Sequence, residues 1–227
     1  MTFPAPRPGW LLGIDTSVAQ GRLDAAAIVA AGVDFAIHKA TDGVHGIDPQ
    51  WAMSAEASAT AGLPFGAYGV LEPGSDPVAQ AANYLRNVRT FAPPLAPVLD
   101  FEVAHGQTGA QALRAAVVWC REVEQALGRA PLVYTGPSFI ETLERFASKA
   151  GEADVAILAT YPLWIADYRH RAEPETPPPW SSWTIWQAGP AGATLPGGHG
   201  AVDVNWCRLC LPELLALGTT TPAPASP

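Results

Sequence analysis

Apolar and polar positions along the chain fall into two rhythms. Short runs that alternate, or are wholly apolar, read as strands; longer stretches with apolar residues three and four apart read as helices. Trp10–Asp15 is such a strand, Leu23–Ala31 a short Ala-rich helix, and Val33–Lys39 alternates like a second strand. Pro49–Ala61 predicts a helix closed by Gly62, and Pro64–Leu71 a third strand. Asp76–Arg89 reads as a helix with Pro77 in its first turn, where a fixed φ is favourable. Pro97–Glu102 is the fourth strand, and Gln107–Leu127 is the longest helical pattern, with Gly128 as its stop. Leu132–Thr135 and Ser138–Lys149 form a fifth strand and helix. Beyond them Leu163–Asp167, Trp183–Gln187 and Ala201–Asn205 are strands joined by loops, with no good helical pattern between.

Five strand–helix units followed by three bare strands make eight strands. Alternating units imply a parallel sheet, and eight strands close naturally into a barrel. A doubly wound open sheet is the competing architecture, but no Gly-rich phosphate loop opens a helix here. On this reading residues 10–211 are a single α/β domain. An N-terminal extension, 1–9, precedes it, and a Thr/Pro/Ala-rich tail, 212–227, follows and is expected to be disordered.

In such a barrel the chemistry sits where the strands end. The first strand ends at Asp15, the third at Tyr68, the fourth at Asp100 and Glu102, and the fifth at Tyr134. The sixth carries Trp164 and Asp167, the seventh Trp186 and Gln187, and the eighth Asp203. Asp100 and Glu102 are two apart, so on a strand they share a side, their stems roughly 7 Å apart, while Leu99 and Phe101 face the covering helices. Two acids held side by side do not both ionise readily, and one retained proton supplies an acid and a base in one place. Glycoside cleavage needs that combination. A pair that merely caps helices or meets an arginine is the structural alternative; Asp15 and Asp203, on strands that meet at barrel closure, weigh against it. Tyr68, Tyr134, Trp164 and Trp186 would offer flat faces for sugar C–H groups, and Gln187 a hydrogen-bonding amide.

Composition changes this picture little. Nearly half of the 227 residues are apolar, enough for a sizeable core, and charge is sparse. A net charge of −8 argues against nucleic-acid binding, which needs clustered Lys and Arg. No uninterrupted apolar run is long enough to span a bilayer, so membrane insertion is not expected. Three cysteines, with Cys207 and Cys210 as one CxxC, are expected to be reduced thiols or at most one local disulfide. His38 suits a core contact or an inward polar one equally, and His105 could border the carboxylate strand. A zinc centre of Asp15, Asp100, Asp203 and a histidine is conceivable but lacks supporting spacing, so no metal or cofactor is expected.

Several segments carry a resemblance. Gly13-Ile14-Asp15-Thr16-Ser17, Lys39-Ala40-Thr41-Asp42-Gly43, Ala61 to Tyr68, Leu99-Asp100-Phe101-Glu102 and Tyr134-Thr135 come in the order found in glycoside hydrolase family 25. So do Pro162 to Ala166, Ile185-Trp186-Gln187 and Val202-Asp203-Val204-Asn205, and the chain resembles these Chalaropsis-type lysozymes from about Leu12 to Trp206. The resemblance implies a TIM-like (β/α)5(β)3 barrel. It also implies N-acetylmuramidase activity, cleaving the β-1,4 bond between N-acetylmuramic acid and N-acetylglucosamine in peptidoglycan. Glu102 would be the general acid, and Asp100 the partner holding the 2-acetamido group or the charged intermediate. Asp15 and Asp203 would be the remaining site carboxylates. Tyr68, Tyr134, Trp164, Trp186, Gln187, Lys39 and Asp42 would be the substrate-binding wall. Two positions depart from the family's habit: Asp42 where Glu is frequent, and Gly69-Val70 after Tyr68 where His-Phe is frequent. Whether an acetamido oxygen or a water attacks second is left open by the residues, since it turns on carboxylate separation.

Two other functions compete: a peptidoglycan-binding module without turnover, which the four carboxylates argue against, and another hydrolase, such as a chitinase or metal-dependent esterase, on the same barrel. Residues 1–8 do not read as a secretory signal. The expectation is a monomer made in the cytoplasm that reaches the cell wall through a phage holin or another non-classical route.

Overall fold

The computed structural model describes residues 3–4, 7–146, 149–169, 172–195, 197–199 and 201–219. Among these residues nine strands are formed: β1 (Leu11–Thr16), β2 (Phe35–Asp42), β3 (Gly46–Ile47), β4 (Phe65–Val70), β5 (Val98–Asp100), β6 (Leu132–Thr135), β7 (Leu163–Ala166), β8 (Ile185–Thr194) and β9 (Ala201–Cys207). Eight of them close a barrel in the order β1-β9-β8-β7-β6-β5-β4-β2, sealed by β1–β2 pairing, and β3 adds a short hairpin to β2. Helices α1 (Ala25–Ala30), α2 (Trp51–Ala61), α3 (Pro77–Val88) and α4 (Gly109–Leu127) follow the first four barrel strands. The expected stops are in place: Gly62 and Gly128 end α2 and α4 in the left-handed region, and Pro77 opens α3. The structure adds Asp76 as the cap of α3 and a capping box of Thr108 and Gln111 on α4.

Three expectations need correction. The barrel is not wholly parallel, because β9 runs antiparallel to both β8 and β1. Only residues 195–200 join β8 to β9. A parallel return needs a crossover of a dozen residues or more, so the short link forces a hairpin. Second, the β6–β7 connection holds two helices, α5 (Pro137–Phe146) and α6 (Lys149–Leu158). In α6 the buried apolar Val155 and Leu158 lie one turn apart, too narrow a stripe to read from periodicity. Third, the ordered chain passes the expected boundary at 211: α7 (Leu211–Ala216) tucks Leu214 against the barrel interior. Arg129 holds this segment through the carbonyls of Leu215 and Leu217, at 2.6 and 2.7 Å. The rest of the tail, 220–227, lies outside the described residues, as do 1–2 and 5–6 of the extension.

Strand alternation sorts the side chains into two cores. Phe35, Ile37, Val98, Leu132, Tyr134, Trp164, Ile185 and Cys207 fill the barrel, while Leu99, Phe101, Val133, Leu163 and Ile165 pack beneath the helices. Gly13 shows how tight the interior is. A Cβ there would lie 2.2 Å from the tip of the Phe35 ring, its register partner on β2.

Among the described residues, no helix covers the outer face of β8 and β9. Trp186 and Trp206, directly opposite each other on those strands, are covered by the N-terminal extension instead. The Arg7 guanidinium stacks 4.7 Å from Trp186, 5.2 Å from Trp206 and 5.0 Å from Trp10, and donates to the Ala172 carbonyl at 2.7 Å. Arg208 stacks 4.0 Å from Trp183 and pairs with Glu173. Cation–π stacks of this kind substitute here for helix packing. Among the described residues, no helix is long and apolar enough to cross a membrane.

Candidate active site

The cleft at the strand ends is lined by Asp15, Tyr68, Asp100, Glu102, Tyr134, Trp164, Gln187 and Asp203, with Thr16, Ser17, Gln20 and Tyr168 beside them. Its volume is about 270 Å³, close to the lower end for small-ligand sites. The sequence predicts that Asp203 ends its strand; it lies near the start of β9 instead. Because β9 is reversed, the residue still reaches this rim, opposite Asp15 in register.

Strand β5 stops at Asp100, but the chain continues extended, with Phe101 donating from its backbone to Tyr134 at 2.9 Å. That preserves the alternation. Phe101 packs edge-on to Phe139 in the outer core, and Asp100 and Glu102 both face the cleft. They meet different surroundings. Asp100 is 8% exposed and its Oδ1 has no hydrogen-bond partner among the described residues. Burial first, and the Glu102 charge second, hold its carboxyl well above the usual range. Glu102 stands at the opening with an exposed flank, and burial of its inner side raises it while the Lys39 ammonium pulls it back.

Asp15 is pushed up to about 7, chiefly by burial, against two side-chain N–H donors that favour its charged form; Asp203 and Glu102 raise it further. The donors are Asn205 Nδ2 and Gln187 Nε2, each 2.8 Å from Oδ2. Asp203 is raised by burial as well. Four carboxylates on one rim, all with a strengthened hold on protons, make a site that can both donate and accept protons.

Not every expected residue comes here. Trp186 does not line the cleft. It is adjacent to inward-facing Gln187, so alternation turns it to the outer core, where its indole donates to the Asp167 carbonyl at 2.8 Å. Lys39 and Asp42 lie outside the lining too, joined by a 2.6 Å ion pair at the rim, from which Lys39 acts on Asp100 and Glu102 by charge alone. Asp167 is buried and clamped by Arg169, which lowers its carboxyl to about 2. His38 proves to be the core histidine, bonded to Thr16 at 2.7 Å and Ser58 at 2.9 Å and pushed down to about 3 by burial, so it stays neutral. His105 meets Glu72 at 3.4 Å, off the cleft. All three cysteines are free, with only Cys210 exposed.

Sequence reasoning missed Tyr168, which follows β7, and Asn205, which holds Asp15. A signal for the second was present: Asn205 is two from Asp203 on a strand, the same spacing that flags Asp100 and Glu102.

Comparison with known proteins agrees with this architecture. The bacterial lysozyme from Streptomyces coelicolor superposes with a TM-score of 0.78 at 25% identity, over 92% of this chain and 97% of its own. The muramidase from Trichobolus zukalii gives 0.77 at 26%, over 93% of this chain and 100% of its own. In sequence, Lysozyme M1 from Streptomyces globisporus is 29% identical over 96% of this chain and 74% of its own. The uncharacterized protein YegX from Escherichia coli K12 is 31% identical over 90% of this chain and 72% of its own. The family model for Glycosyl hydrolases family 25 matches residues 14–194, a span that holds Asp15, Asp100, Glu102 and Gln187, and the chain belongs to that family.

Proposed function

We propose that this protein is an N-acetylmuramidase of the bacterial cell wall, cleaving the β-1,4 bond between N-acetylmuramic acid and N-acetylglucosamine with Glu102 as proton donor. The observation that carries this reading is the unlike pair on one side of one strand: buried Asp100 with an unpartnered Oδ1, and Glu102 at the opening. A buried carboxylate oxygen without a donor is costly in the free protein. An acetamido N–H from the substrate fits it. That bond would favour the charged form of Asp100, and the neighbouring negative charge would then keep the shared proton on Glu102, next to the leaving oxygen. Family membership and the named activities of the lysozyme and muramidase relatives support the substrate class.

The test is mass spectrometry of fragments released from purified cell walls. Reducing-end N-acetylmuramic acid is expected, and N-acetylglucosamine at the reducing end refutes the bond assignment. Glu102→Gln should lower turnover by about 10²–10⁴-fold, the usual worth of a positioned acid, with its melting temperature not lowered because Glu102 is exposed at the opening and not part of the core. Normal lysis by that variant removes Glu102 from the role. Binding to walls with no fragment released by the wild type would instead identify a glycan-binding module.

A further inference from the structure

Asp15 is gripped on one side only. Both N–H donors that reach it, from Asn205 and Gln187, meet Oδ2, and no described residue hydrogen-bonds Oδ1, although Asp15 lines the cleft. Each donor is itself fixed from behind. The Trp164 indole donates to Asn205 Oδ1 at 2.8 Å. An indole N–H can only donate, so it forces the Asn205 carbonyl toward itself and the amide N–H toward Asp15. On the other arm, Gln187 Oε1 accepts from the Tyr134 hydroxyl at 2.7 Å and from the Tyr168 hydroxyl, which turns Nε2 onto Asp15. Gln187 and Asn205, 4% and 0% exposed, therefore each commit the amide oxygen and one N–H to protein partners.

We propose that Asn205 and Gln187, locked in orientation by Trp164, Tyr134 and Tyr168, are positioning residues that commit Asp15 to work through Oδ1 alone. This deepens the muramidase reading and rests on it for the identity of the ligand. Two N–H groups on Oδ2 stabilise negative charge there, so a proton taken up by Asp15 resides on Oδ1, facing the ligand. The same bonds offset part of the burial that favours the neutral acid. Other groups facing Asp15 act in the opposite sense. Asp203 from β9 and Glu102 beyond β5 oppose its ionisation, and Asp15 in turn raises Asp100 from β5. Tyr68 and Tyr134 remain neutral under burial, and Lys39 reaches the group only through its pull on Asp100 and Glu102. The amides are thus the local features that keep Asp15 titratable near neutral pH.

The experiment is carbon-detected NMR titration of the Asp15 carboxyl in the whole chain, without substrate, beside a pH–rate profile on cell walls. Asn205→Ala removes one charge-assisted bond, and the Asp15 midpoint should rise by about one pH unit. Asn205→Asp keeps the shape and the acceptor for Trp164 but replaces an N–H with a negative charge, so the midpoint should rise further still. A packing role predicts the reverse order, with the isosteric Asp variant the milder. Tyr168→Phe, at a side chain 48% exposed, tests the other arm where the Asn205 variants do not fold. It should raise the midpoint, by less than Asn205→Ala, and shift the corresponding limb of the rate profile with it. An Asp15 midpoint unmoved in the folded variants, or an Asp variant milder than Ala, overturns the proposal. If wild-type protein releases no glycan fragment but the midpoints move as stated, the muramidase reading falls and the positioning of Asp15 stands.

Discussion

Asp15→Asn should make the folded protein more stable at pH 8 and leave it almost unchanged at pH 4. In the folded protein Asp15 binds its proton up to about pH 7, against 3.8 for an ordinary aspartate. Below pH 3.8 the group is neutral whether the chain is folded or not, and its favourable contribution is fully present. Between 3.8 and 7 the unfolded chain sheds the proton and the folded one keeps it, so stability falls by about 1.4 kcal/mol per pH unit. Above 7 the deficit is constant. The interval of 3.2 units corresponds to roughly 4 kcal/mol. Asparagine cannot ionise, and its side-chain oxygen can still accept from Asn205 and Gln187, so the variant avoids the loss while keeping the bonds. Urea unfolding at pH 4, 6 and 8 measures this, provided fluorescence and circular dichroism transitions coincide. With an m-value of about 2.5 kcal/mol/M, the midpoint gain at pH 8 is roughly 1.5 M. Parallel stability-versus-pH curves for the two proteins, or a variant weaker at pH 8, would refute the account of Asp15 as a carboxyl held neutral by burial.

Other expectations follow from the parts around the cleft. Trp186→Phe should leave KM for cell-wall glycan unchanged while lowering stability by about 1–3 kcal/mol, since the buried Asp167 carbonyl loses its donor; a raised KM with unchanged melting would return Trp186 to the sugar-binding wall. Arg7→Ala removes a guanidinium stacked on three indoles and should cost about 1–2 kcal/mol, seen as a drop of roughly 3–6 °C in Tm with kcat/KM intact. No change in Tm would mean the extension is dispensable. Thiol titration with Ellman's reagent should count one group in the native protein, Cys210, and three after denaturation. A native count of three would contradict the burial of Cys120 and Cys207.

Much of the barrel was legible because it rests on local rules. Apolar periodicity located the eight barrel strands, Gly62, Pro77 and Gly128 marked ends of α2, α3 and α4, and two-residue spacing put Asp100 and Glu102 on one face. The reversal of β9 was less visible, because a strand's pattern carries no direction and the run read as ending at Gln187 stops well short of the end of β8 at Thr194, leaving a link that looked long enough for a parallel return. Trp186 was misplaced although the rule that excludes it was available, since adjacent residues 186 and 187 cannot both face inward on a strand. Asn205 carried the same two-residue spacing from Asp203, but its bond to Asp15 joins residues 190 apart in the chain, on strands that become neighbours only when the barrel closes. Tyr168 lies beyond the end of β7, where no strand alternation places its side chain.

The reversed strand has a consequence for how the chain is made. Leu11 pairs with Cys207, so the first strand to leave the ribosome waits for the last. Until residues 201–207 emerge, β1 and β8 each present an open hydrogen-bonding edge, and Trp186 has no partner strand opposite it. Closure is therefore a late event of very high contact order, slow by the entropy of joining distant segments. Nascent or truncated chains that stop short of β9 carry two adhesive edges, the form in which sheet proteins aggregate.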